Sequence, residues 1–527
     1  MRKKLFSILL SLAMVVTMMP AMSMTAYADG PQTYTVSSWA QLKTKIHDAF
    51  GGDTIKLDQE ITAPAGADNL VFTSEKALTL DLNGYSLDRD LDTVSDDGYV
   101  LFVNGGDLTV ISSRGGGTIT GGYATYGGGI KVNGGGKLTF KSGSICNNNA
   151  NSGAGIYISD ASSEAIIDGG TINGNTANYH GGGIYSNLAK VTLKSGIITY
   201  NDAYKGGGGV YARGEFTMLD GEISHNNAGM HGGGVYVYGS NETPSATKSL
   251  KTTISGGTIK NNHADQLGGG IMLDKYDMTL EMFGCQVANN SADIDGGGIF
   301  TLNPVTFGGT AKVNSNNVAT TICNTVISGD ALVKVATSEH APQQGMNIGV
   351  TKAGFGVFSD VVASGTENYF FADATGYSIR CNSENKLEIF EGSTPGGGGS
   401  GININTDDEE KLTDAEITDY TEDLKVVATK SKALKNGKIT IWFNGLKLKG
   451  GKKITKYQVW RKVKGGKYKL IKVINRSNAK NSYTNVKNLK KGKTYYYKVR
   501  GMSKLSTGKN VYTNWSKVVK AKCLKTR

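Results

Sequence analysis

Three groups of residues have the types and spacing to do chemistry. The first is acidic. Asp293 and Asp295 precede Gly296, and Asp265 sits in a related turn one repeat earlier. This is the best carboxylate grouping in the chain. It is a candidate cation or catalytic site; the alternative is a solvated turn. A polysaccharide lyase needs carboxylates around Ca²⁺ and a base to abstract a proton. A glycoside hydrolase needs two or three convergent carboxylates. Aligning the repeats gives no column of acids. We therefore assign no catalytic residue, expect no cofactor, and name no metal candidates beyond these three Asp.

The second group is aromatic. Tyr157, Tyr185, Tyr211 and Tyr236 hold the same position in successive repeats. Their neighbours alternate inward, so the tyrosines are expected to point outward. Such a ladder could stack on sugar rings or anchor a partner; cross-strand stacking that only stabilises a sheet is the alternative. His180 and His231 lie two repeats apart, roughly 10 Å. They are too far apart to share a metal and read as surface turn residues. Arg213, the only arginine within the repeats, has no obvious acidic partner.

The third group is basic. Residues 424–527 carry 31 Lys and Arg and no Asp or Glu, and the remaining 26 basic residues face all 45 acidic ones. Such a segment favours a polyanion. The candidates are Lys452, Lys453, Arg461, Lys462, Lys490, Lys491 and Lys493. Teichoic acid or an acidic polysaccharide is the expected ligand, and nucleic acid is disfavoured.

These groups must be positioned by repeats. Gly-rich turns lead Ile130, Ile156, Ile184, Val210, Val235, Ile271 and Ile299. Upstream of most lies an apolar residue, two spacers, Asn, one spacer and Ala, as in Ile145…Asn148…Ala150. Successive Asn residues from Asn148 to Asn290 are 27, 26, 25, 36 and 28 residues apart. The long interval holds an insertion at about 239–251. A period of this size means stacked coils. Each period contains three short alternating stretches and no helical spacing. We therefore expect a right-handed parallel β-helix with three strands per coil, in which Asn residues stack at one turn and glycines permit another. Before it, Trp39, Leu42, Ile46 and Ala49 predict a short helix capped by Ser and suited to cover the open end. After about residue 310 the pattern fades into what read as closing, degenerate coils.

The ends add context. Arg2, Lys3 and Lys4, the apolar run Leu5–Met19 and Ala26-Tyr27-Ala28 read as a signal peptide. The expected division is a signal peptide at 1–28, a β-helix with its cap at 29–391, a Gly/Ser-rich then acidic linker at 392–423, and a basic β-domain at 424–527. Cys146, Cys285, Cys323, Cys381 and Cys523 are scattered and odd in number. They read as buried thiols rather than a disulfide framework or zinc site.

The repeat resembles the polymorphic outer-membrane-protein type of β-helix, with its pectin-lyase-like fold. Gly181-Gly182-Gly183-Ile184-Tyr185 and Ile198-Thr199-Tyr200-Asn201 take the roles of that family's Gly-Gly-x-Ile and Phe-x-x-Asn turns. The C-terminal domain resembles fibronectin type III through Leu489-Lys490-Lys491-Gly492-Lys493-Thr494-Tyr495, similar to that family's tyrosine corner. The resemblances imply an exported, adhesin-like surface protein. Its repeats would form a display rod and its basic domain a tether to a cell-wall polyanion or glycan, with a host surface as another partner. The localisation implied is extracellular or wall-associated, as a monomer. The alternative is a carbohydrate-active enzyme, a lyase or hydrolase of acidic polysaccharide.

Overall fold

The structure, a computed structural model, describes residues 30–392 apart from 74–75, 240–249, 275–277, 319–320, 330 and 353–355, together with most of 428–523. The expected signal peptide, the body of the 239–251 insertion and nearly all of the linker lie outside the described residues. The chain divides into two units, Met1–Gly401 and Ile402–Arg527.

The first unit is an all-β parallel solenoid of about 11 turns. One coil shows how the sequence makes it. Ile130–Asn133, Lys137–Phe140, Ser144–Cys146 and Asn149–Ser152 are short strands separated by turns. Ile130, Val132, Leu138, Phe140, Ile145 and Ala150 point inward and are buried. Each strand pairs in parallel with its equivalent one coil on, so Ile130 lies beside Ile156, and Leu138 beside Ala165. Like side chains thus form continuous inward columns. Full burial of each aliphatic chain contributes about 1.5–3 kcal/mol. The fourth strand amends the expected three per coil. It forms its own ladder from Tyr123–Tyr126 to Asn317–Val318, built on an inward column of Ala, the residue two after each ladder Asn.

Both turns behave as stacked devices. In the Asn turn, Asn175 donates both its backbone N–H (3.1 Å) and its Nδ2 (2.9 Å) to the Oδ1 of Asn201, and its Nδ2 also to the carbonyl of Ile145 (3.0 Å). Asn201, Asn226, Asn262 and Asn290 repeat the pattern. The left-handed residue is the one before each ladder Asn, such as Tyr200 (φ 54°) and His225 (φ 53°), rather than the ladder Asn itself. In the Gly turn, four consecutive N–H groups, of Gly181, Gly182, Gly183 and Ile184, all donate to carbonyls of the next coil. Gly181 needs glycine for its φ of 67°. Gly183 needs it for space: a Cβ there would lie 2.6 Å from the Gly209 carbonyl oxygen.

The predicted helix is present over Trp39–Asp48. Ser38 Oγ caps it by accepting from the Gln41 N–H, and Trp39, Leu42 and Ile46 are buried in the solenoid core. The other end departs from expectation. Parallel pairing continues to Phe370–Ala372, but Gly356–Val361, Lys386–Glu391 and Tyr377–Cys381 pair antiparallel. The solenoid thus ends in a small antiparallel sheet rather than in further coils. All five cysteines are free thiols, and all but Cys381 are buried.

In the second unit, the described strands form two antiparallel sheets. One holds Ala428–Ala433, Ile439–Asn444 and Lys480–Asn485. The other is built around Lys456–Val463 and Thr494–Lys504. Ile441, Phe443, Tyr457, Tyr497 and Val499 form the core.

Candidate binding surfaces

The tyrosine column exists, but most of it is covered. Parallel register places Tyr157 beside Tyr185, Tyr185 beside Tyr211, and Tyr211 beside Tyr236. The rings of Tyr157 and Tyr185 stack at 5.2 Å, and those of Tyr185 and Tyr211 at 4.9 Å. The stack then breaks: Tyr236 meets Tyr211 edge-on at 86° and donates its hydroxyl to Asp274 (2.7 Å).

The expectation of an outward, open ladder is corrected for two members. Tyr211 is 4% exposed and Tyr236 5%. The residues before each Gly turn form a facing column, His180–Gly206–His231–Leu267–Asp295, which closes over the tyrosines. The His180 ring lies 4.4 Å from that of Tyr211, and Tyr236 fills the room left by Gly206. Met272 and Phe300 continue the column, making a second apolar cluster outside the main core. His180 and His231 are accordingly half-buried and packed on Tyr211 and Tyr236 rather than free on the surface. Burial, and then the charge of Lys205, lowers the His180 pKa to about 4. Burial raises the Tyr157 hydroxyl to about 12 and those of Tyr211 and Tyr236 further, which disfavours these tyrosines as bases. The open part of the column is Tyr157 and Tyr185, both half-buried, with exposed Tyr126 packed at 4.8 Å on Tyr157. Tyr126 belongs to the facing column, so the in-register repeat did not mark it.

The acidic grouping is also revised. Asp265 and Asp293 come together with His263. Asp295 does not join them. Its carboxylate accepts from the Gly296 N–H (2.9 Å) and from the Cys323 thiol (3.3 Å).

The basic unit holds an arrangement that the sequence reading only touched. Along Lys456–Val463 and Thr494–Lys504, register pairs Gln458 with Arg500, Trp460 with Lys498, and Lys462 with Tyr496 on one face of the sheet. Arg500 lies 3.9 Å from the Tyr512 ring and 4.5 Å from that of Trp515. Lys498 lies 3.8 Å from Trp515 and 4.7 Å from Tyr468, and Lys462 4.8 Å from Tyr468. Gln458 Oε1 accepts from Arg500 Nε (3.0 Å) and fixes its guanidinium. Burial, then Arg500 and Lys462, lowers the Lys498 pKa. Three cations therefore sit in a row, interleaved with rings, and among the described residues none is ion-paired to a carboxylate.

Of the sequence candidates, Lys462 lies on this row. Arg461 alternates to the other side, over Tyr495 (5.1 Å). Lys490 and Lys493 are exposed beside Tyr495, whose hydroxyl accepts from the Lys490 N–H (2.6 Å). Lys452, Lys453 and Lys491 lie outside the described residues. Trp460, Lys498, Arg500, Tyr512 and Trp515 were missed; the alternation Tyr496-Lys498-Arg500 was the readable signal.

Compared with protein-family models, curated proteins and solved structures, the chain matches none.

Proposed function

We propose that this chain is an exported, cell-surface or wall-associated binding protein, tethered through its basic unit to an anionic polymer. The observation that carries the reading is the row Lys462, Lys498 and Arg500 interleaved with Tyr468, Trp515 and Tyr512. Cations spaced along a sheet face suit a chain of phosphates or carboxylates, and the rings suit the sugars between them. On this reading the second unit is a fibronectin type III-like sandwich, supported by the Lys490–Tyr495 hydrogen bond at its corner. The solenoid is a right-handed, adhesin-like display rod of pectin-lyase-like fold. Its hand is supported by the strong preference of parallel crossovers for right-handed connection. The open tyrosines, Tyr126, Tyr157 and Tyr185, are a second surface on which a glycan could stack.

The test is binding of the full mature chain to teichoic acid, an acidic polysaccharide and a neutral glycan, each across a salt titration. The tether predicts binding to the two anionic polymers, lost by about 0.5 M salt. Equal binding to the neutral glycan, or no binding at low salt, overturns it. Incubation with acidic polysaccharides, assayed for chain cleavage, tests the alternative of a lyase or hydrolase.

A further inference from the structure

We infer that His263, Asp265 and Asp293 form a site for a divalent transition cation bridging two adjacent coils of the solenoid. The register builds it. His263 pairs with Ser291 and Ala264 with Ala292, so Asp265 and Asp293 occupy one outward position in successive coils. Two carboxylates stacked in register repel one another. Among the described residues neither is ion-paired to a Lys or Arg, and the basic group within 4 Å of each is His263.

The imidazole is aimed. Ser291 Oγ lies 3.0 Å from Nδ1, which leaves Nε2 facing the carboxylates, 3.3 Å from Asp265 and 3.8 Å from Asp293. These separations are long for direct hydrogen bonds. They suit donors around a shared ion, since metal bonds of about 2.1 Å at tetrahedral angles put donor atoms roughly 3.4 Å apart. One on each side of the inward Ala264, His263 lies in the strand His263–Ala264 and Asp265 directly follows it. Asp293 completes the set from the next coil.

The donor set selects the ion. A neutral imidazole with two carboxylates balances a 2+ charge. The nitrogen favours Zn²⁺-type ions over Ca²⁺ and Mg²⁺, which prefer all-oxygen shells. Three protein donors leave a position open toward solvent. The bound ion would also remove the repulsion between the coils, and so should stabilise the solenoid.

The test uses the full mature chain, stripped with chelator and titrated with ZnCl₂ by calorimetry, with thermal unfolding in parallel. Expected is one ion per chain with a Kd of about 10 μM or tighter, and a melting temperature that rises and saturates with Zn²⁺. His263→Ala should weaken binding at least tenfold and abolish the thermal shift. Asp265→Asn and Asp293→Asn, which keep side-chain size and remove charge, should each weaken it as well. Ser291→Ala should weaken it less, as a positioning residue. Absence of binding at about 1 mM Zn²⁺, unchanged affinity in the His263 and Asp variants, or equal affinity for Ca²⁺ overturns the assignment.

Discussion

Asn324 donates its backbone N–H (2.8 Å) and its Nδ2 (2.5 Å) to the two carboxylate oxygens of Asp373, 49 residues away. The column of stacked asparagines runs from Asn148 through Asn316, whose own donors go to Asn324 Oδ1. It ends on this carboxylate, which also accepts from Thr351 Oγ1 (2.7 Å). Burial raises the Asp373 pKa while these donors pull it down.

Asp373→Asn should therefore be destabilising although it keeps the shape. An amide offers one acceptor oxygen and turns donors toward donors. We expect a loss of about 2 kcal/mol from one buried unsatisfied group, read as a lower urea midpoint. Asp373→Ala should lose more. Unchanged midpoints would mean that the ladder needs no terminal acceptor.

Gly209→Ala should cost about 3 kcal/mol through overpacking against backbone. Its Cβ would meet the Gly234 carbonyl oxygen at 2.6 Å and Ile223 Cγ2 at 2.9 Å. Thermal unfolding against the parent chain checks this.

Stability should fall as pH drops from about 6.5 toward 4, in part through His180. Burial first, then Lys205, lowers its folded pKa from 6.5 to about 4. Between those values the unfolded chain takes up a proton that the folded chain refuses, so acid favours unfolding. His180→Phe keeps a ring against Tyr211 and removes the titration. The variant should lose less stability than the parent between pH 7 and pH 5 in urea melts. An equal loss would place the sensitivity elsewhere.

On the basic face, charge and ring contributions should separate. Lys498→Ala with Arg500→Ala should lower the slope of log affinity against log salt by about 1.4, at roughly 0.7 per contact with a single-stranded polyanion. Trp515→Ala should weaken binding by about tenfold, the loss of one stacking contact, with the slope little changed. Equal effects on slope would assign the tryptophan no direct contact.

The regular part of this molecule was legible because each column repeats in sequence: Asn148 to Asn290, the Gly turns and the inward Ile and Val. Legibility failed where the register is preserved but the spacing is not. Asn324 follows Asn316 by only 8 residues, with Asn317 pairing antiparallel to Ile322 and Val318 to Thr321 between them, and Asp373 is farther still. The burial of Tyr211 and Tyr236 was hidden for another reason: their cover comes from a different ladder. His263 escaped because its partners, two carboxylates, meet it only after the coils stack. The cation–aromatic row likewise needed the sheet register to bring Tyr468 and Trp515 to Lys498.

The two turns have an electrical consequence. The backbone N–H groups of the ladder Asn residues and the consecutive N–H groups of the Gly turns donate toward later coils. Their dipoles add along the stack instead of cancelling, as peptide dipoles add along an α-helix. The late end of each file is therefore electropositive, and a carboxylate sits at two of these ends: Asp373 beyond Asn324, and Asp295 on the N–H of Gly296, where the file of first turn glycines stops. The solenoid thus has a polarity as well as a length, with Asp373 and Asp295 each at the positive end of a file.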